Sequence, residues 1–181
     1  MKAISKFFIS IANWKTLLFF LALEMLFNSY ILPNAAKEIN SLCNNQSPGP
    51  IDLTFGFNPE KSLSMISQYS EAAKKVYART EMTKDVLYPI VYTFLFAIIL
   101  SLLFKNTPLA LVNVLPMISG IFDLLENSMI VSLLYSYPNN SHGQAVLLEI
   151  FKLLKWISTG FVIFLILYGL IKKYIISKKS A

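Results

Sequence analysis

Charge is scarce in this sequence. Asp, Glu, Lys and Arg supply only 14% of the 181 residues, against 55% hydrophobic residues and a mean hydropathy of +0.57. A soluble domain of this length needs far more polar surface, so a water-soluble fold is excluded. Cysteine is nearly absent too: Cys43 stands alone, which rules out an intrachain disulfide, a Cys-x-x-Cys redox pair and a Cys-rich metal centre. His142 is the one histidine, so no His-x-x-x-His ligand pair exists. A metal site assembled from Glu24, Asp123, Glu126 and His142 lacks any ligand spacing, and neither a resident metal nor a cofactor is expected. Gly-rich phosphate loops are missing, as is any basic stripe interleaved with aromatics, so the net charge of +6 does not indicate a nucleic-acid partner. No internal repeat is visible, which weighs against an inverted-repeat transporter.

What the chain has instead is four apolar blocks, each near the length of about 20 residues that a helix needs to cross a bilayer. They run from about Thr16 to Leu32, Val86 to Phe104, Leu109 to Leu134 and Val146 to Ile171. The expected fold class is all-α: a polytopic membrane protein forming a four-transmembrane-helix bundle, one membrane domain over residues 1–181. The first block is expected to end at Pro33 and to be a retained helix, because Glu24 interrupts it and "PNAAKE" is a poor cleavage site. Only "KNTP" separates the second and third blocks, which therefore form an antiparallel hairpin. Ahead of the first block, "FFISIANW" reads as interfacial, with Phe7, Phe8, Ile11 and Trp14 at headgroup level.

Lysine placement sets the expected orientation. Lys2, Lys6, Lys15, Lys105, Lys172, Lys173, Lys178 and Lys179 share one side, while the loop "YSYPNNSHGQ" on the other carries no Lys or Arg. Both termini are thus expected in the cytoplasm of a plasma (inner) membrane protein, with the long loop 34–85 outside. Within that loop, "NNQSPGP" is turn-forming and "NPEKSLSMISQYSEAAKKVYART" reads as one helix, with Asn58 as N-cap and Pro59 in its first turn. Its one-sided apolar face predicts a helical cap over the outer end of the bundle.

The stretch "GIFDLLENSMI" places Asp123, Glu126 and Asn127 on one face of the third span, where hydrocarbon is expected. The other spans contribute polar groups at the same outer depth. Glu24 and Asn28 come from the first, Tyr88 and Tyr92 from the second, and Lys155 from the fourth. The inner halves, such as "FAIILSLLF" and "VIFLILYG", are almost featureless. A charge at the bilayer centre costs about 3 kcal/mol on the lenient insertion scales, so these acids are expected to face inward. Asp123 or Glu126 is expected to pair with Lys155, and Pro116 to kink the third helix beside Asp123. Glu149 and Lys152 read as a surface i, i+3 pair, and Tyr88, Tyr92 and Trp156 also fit an aromatic belt.

Three functions remain open at this point. The first is a polar, carboxyl-rich pocket binding a small molecule, a lipid headgroup or a cation. The second is an intramembrane acid–base enzyme acting on a lipid-soluble substrate. The third is a non-catalytic partner of another membrane protein or of its own copies, in which the polar cluster is interhelical glue. A lateral cavity favours the enzyme, a water-accessible vestibule favours binding or transport, and a closed hydrogen-bonded cluster favours glue.

The long first loop, "DVLYP" entering the second span and "DLLEN" within the third together resemble a group of uncharacterised small bacterial four-helix integral membrane proteins. The resemblance spans most of the chain and implies the fold, but no activity. The loop plan is also similar to that of claudins and tetraspanins, whose loop cysteines are missing here. Asn45 and Asn139 each begin an Asn-x-Ser sequon in an expected outer loop.

Overall fold

The computed structural model describes residues 1–43 and 48–179, and all of its regular elements are helical, with no strand among the described residues. Asn45, and the side chains of Lys178 and Lys179, lie outside the described residues. Helix α1 (Lys2–Ile11) is separated from α2 (Trp14–Leu26) by a capping box. Asn13 Oδ1 accepts from the amides of Lys15 and Thr16 at 2.9 and 3.1 Å, and Thr16 Oγ1 accepts from the Asn13 amide at 3.2 Å. Phe8 is buried, its ring edge-on to Phe94 at 5.5 Å, because this face of α1 packs on the second span.

The first span does not stop at Pro33. After α2 the chain widens into a π-helical turn, Phe27–Ile31, and continues as α3 (Leu32–Ser41) with Pro33 in its first turn. Pro33 lacks an amide and crowds the preceding turn. The wide turn absorbs that crowding, with the Leu32 amide reaching the Phe27 carbonyl. The helix therefore bends its hydrogen-bond pattern instead of ending.

The long loop holds two helices, α4 (Pro59–Gln68) and α5 (Glu71–Met82), in place of the expected single one. Asn58 caps α4 by accepting from the Lys61 amide at 3.0 Å. Ser70 breaks the run: its hydroxyl accepts from the Ala73 amide at 3.1 Å and donates to the Leu42 carbonyl at 2.7 Å. Tyr69 just before it is extended and buried, its hydroxyl donating to the Gly49 carbonyl. Burial holds this phenol above its ordinary range, so it stays protonated as a donor.

Helix α6 (Lys84–Phe104) follows α5 at Thr83, then a 3-10 turn (Ala110–Val114), α7 (Pro116–Ser136) and α8 (His142–Lys179). Pro116 opens α7 instead of kinking it, since a first-turn proline lacks only an amide that would be unpaired anyway. Among the described residues, four helical stretches are long and apolar enough to cross a membrane: Trp14–Ser41, Glu71–Phe104, Ala110–Ser136 and His142–Lys173. Large apolar side chains such as Leu18, Phe19, Met25, Phe164 and Leu167 are exposed along them, apolar surface of the kind that a membrane or a protein partner covers.

Helix α7 packs between α6 and α8, while α2 packs on α6. Gly120 allows the close approach of α6, because a Cβ there would sit 2.6 Å from Thr93 Oγ1. At one end, α1 lies against α6 and the 3-10 turn, with Asn113 Nδ2 donating to the Ser5 carbonyl at 3.1 Å. At the other, α4 and α5 close over α7 and α8. The main apolar core lies here, built from Ile51, Met65, Ile66, Tyr77, Leu133 and Leu148 among others. The long loop is therefore a packed cap and not a solvated linker.

Candidate functional site

The α5–α6 junction carries one stripe: Tyr77, Glu81, Asp85, Tyr88, Tyr92 and Phe96 recur every three or four residues and so share a face. That face lines a cavity of about 480 Å³. The first span closes one side with Glu24, Asn28 and, beyond the π-turn, Leu32, Pro33 and Ala36. Helix α8 closes another with Lys155, Trp156 and Thr159, α7 supplies Asp123, and the loop adds Asp52 and Leu53. Asn28, Leu53 and Trp156 are the exposed members of this lining, and α2 has no substantial packing on α8. The mouth thus lies between the first span, the loop and the last span.

At the base of the cavity, Tyr92 donates to Asp123 Oδ2 at 2.9 Å. Lys155 Nζ lies 3.7 Å from Asp123 Oδ1 and 2.5 Å from Glu126 Oε2. All four side chains are buried, and Glu126 is fully so. A second group sits nearer the mouth. Tyr88 donates to Glu24 Oε1 at 3.1 Å, Asn28 Nδ2 donates to the same oxygen at 2.8 Å, and Glu24 Oε2 has no partner. On the α5 side, Glu81 is 2% exposed, and its Oε2 has no partner either. Asp52 accepts from the Tyr77 hydroxyl at 3.0 Å. Among the described residues no group of three His, Cys, Asp or Glu is arranged to hold a metal ion, and His142 instead contacts Glu60 at 2.9 Å on the surface.

Asn127 acts behind the cavity wall. Pro89 sits inside α6, and having no amide it cannot bond the Asp85 carbonyl one turn back. Asn127 Nδ2 donates to that carbonyl at 3.0 Å. Asn127→Leu is therefore expected to destabilise the protein by about 1–3 kcal/mol by stranding a buried acceptor. Thermal unfolding in detergent should show a clearly smaller loss in a Pro89→Ala background, where the substituted residue supplies the missing amide. Equal losses in both backgrounds would refute this pairing.

Six of the eight residues singled out in the sequence line the cavity: Glu24, Asn28, Tyr88, Tyr92, Asp123 and Lys155. Glu126 and Asn127 lie behind it. Tyr92 is not a belt residue, since it is buried against Asp123. Glu149 and Lys152 are not a surface pair: they are 1% and 2% exposed beneath the loop. Lys152 Nζ bonds Glu149 Oε1 and Thr54 Oγ1, both at 2.6 Å, and Glu149 accepts from the Asn58 amide at 3.0 Å and Ser62 Oγ at 2.7 Å. The pair is covered because the loop folds down onto α8. Asp52 and Glu81 join the site without having been expected there. Glu81 was legible as the position one turn before Asp85 on the Tyr77–Phe96 stripe, whereas nothing in the sequence ties Asp52 to the cavity.

The chain matches no protein-family model, curated protein or solved structure to which it was compared.

Proposed function

We propose that this chain is an integral protein of the plasma (inner) membrane, with both termini cytoplasmic and the long loop outside, whose cavity binds a small molecule, a lipid headgroup or a cation. The observation that carries this reading is the cavity of about 480 Å³, within the range of small-ligand sites and combining carboxyl and phenol groups with apolar walls. Its polar groups converge at Asp123 and Tyr92, while Leu32, Phe96 and Trp156 offer an apolar surface to the rest of a ligand. The lysine distribution supports the orientation. Against the glue reading stand the open space itself and the incomplete pairing of Glu24 and Glu81, two residues of its lining.

The second reading, an acid–base enzyme on a lipid-soluble substrate, is favoured by one feature: the mouth lies between the first and last spans. Asp123, joined to Tyr92 and Lys155, would be its acid or base.

Native mass spectrometry of the protein released from its own membrane tests the binding reading. The wild type is expected to carry a small non-covalent adduct. The cavity-filling variants Ala36→Phe and Thr159→Trp should each reduce its occupancy about tenfold, the loss of roughly 1.4 kcal/mol. A wild type that carries no adduct and takes up none from added lipid extract would overturn it.

A further inference from the structure

Resting on the binding reading, we propose that the cavity selects amphiphiles whose head is an organic cation, an ammonium with an apolar body, over neutral or anionic ones. Charge balance inside the cavity is the first argument. Among the described residues, Glu24, Asp52, Glu81, Asp85 and Asp123 line it, and Lys155 is the only basic residue that does. Lys155 is already occupied by Asp123 and Glu126. No Lys, Arg or His among the described residues forms an ion pair with Glu24, Asp52, Glu81 or Asp85. Carboxyls gathered in one cavity without a counter-cation are complementary to a cation brought from outside.

An independent observation points at the same occupant. Glu81 is only 2% exposed, borders the cavity, and leaves Oε2 without a hydrogen-bond donor. A buried acceptor in that state is costly unless something donates to it. An ammonium head held in the cavity beside this carboxyl would neutralise it by charge.

The walls decide between an organic cation and a metal ion. Hard divalent ions need six or more oxygens converging on one point, and the carboxyls here are spread over three spans and the loop. Tyr88, Tyr92 and Trp156 instead supply aromatic rings, the groups on which alkylammonium heads settle. Anionic heads meet only a lysine that is already paired. The side-facing mouth, bordered by Trp156 and Leu53, lets an alkyl chain remain in the surrounding lipid while the head enters.

The test uses the full chain carrying Trp14→Phe in zwitterionic nanodiscs, so that Trp156, one of only two tryptophans, reports from the cavity. Dodecyltrimethylammonium, dodecanol and dodecyl sulfate are titrated at equal mole fractions in the bilayer, and the Trp156 emission is followed to saturation. The ammonium is expected to saturate at about tenfold lower mole fraction than the alcohol, with no saturable response to the sulfate. Glu81→Gln should erase that preference, and Asp85→Asn should weaken it. If the alcohol or sulfate binds as well as the ammonium, the selectivity is refuted while the binding reading survives. If none of the three saturates, both fall. An unchanged preference in the folded Glu81→Gln and Asp85→Asn variants also refutes the selectivity. Should either variant not fold, as judged by size exclusion and circular dichroism, the ranking of the three heads on the wild type decides.

Discussion

Lys155→Ala is expected to cost the bundle about 3–5 kcal/mol, the usual penalty for removing one partner of a buried ion pair. Among the described residues the lysine is the only cation paired with Asp123 and Glu126, and Glu126 is fully buried. Alanine would leave both acids without a counter-charge and create a void where the lysine stem packed. The triple change Lys155→Met, Asp123→Asn and Glu126→Gln keeps the volumes and removes every charge, so it should recover most of the loss. Reversible unfolding in mixed micelles, followed by circular dichroism, measures both. A Lys155→Ala protein as stable as wild type would mean that the acids have another means of neutralisation, and that the base of the cavity does not depend on this lysine.

Glu149→Ala is expected to have a comparable effect of about 3–5 kcal/mol, but confined to one end of the molecule. Glu149 is the anchor that ties α4 to α8. It binds Lys152 on its own helix, the Asn58 amide at the head of α4 and the Ser62 hydroxyl one turn into α4. Its loss strands Lys152 at 2% exposure with Thr54 as its remaining partner, and uncaps α4 from beneath. Hydrogen exchange should therefore rise over residues 58–68 first, with α6 and α7 protected as before. Substituting both members, as Glu149→Leu with Lys152→Met, should be milder than either single loss, because no buried charge is left unpaired. Uniformly faster exchange along all four spans would contradict the idea of a local loop anchor.

These two pairs show where sequence reasoning succeeds and where it stops. Lys155 stands out because a lysine amid "EIFKLLKWISTG" must find an acid at similar depth, and Asp123 and Glu126 are the acids there. Glu149 and Lys152 have the same i, i+3 spacing as any exposed pair, and their burial depends on a loop 87 residues away in sequence, as the Ser62 contact records. Similarly, Asn127 reads as an isolated polar residue until Pro89 on the neighbouring helix is seen to leave a carbonyl unpaired. Pro33 and Pro116 illustrate the opposite problem. Both carry the same local signal, yet one is absorbed by a π-turn and the other simply begins a helix.

Composition and the spacing of apolar residues were enough, by themselves, to establish an all-helical chain with four stretches able to cross a membrane. The same patterns showed that polar groups gather on particular helix faces, because hydrocarbon penalises them locally, residue by residue. Tertiary structure alone decided that the loop descends onto α8, that Asp52 joins residues of all four spans around one space, and that this space remains open. A cavity is a property of what fails to touch, and that depends on long-range packing for which no single stretch of sequence carries a signal.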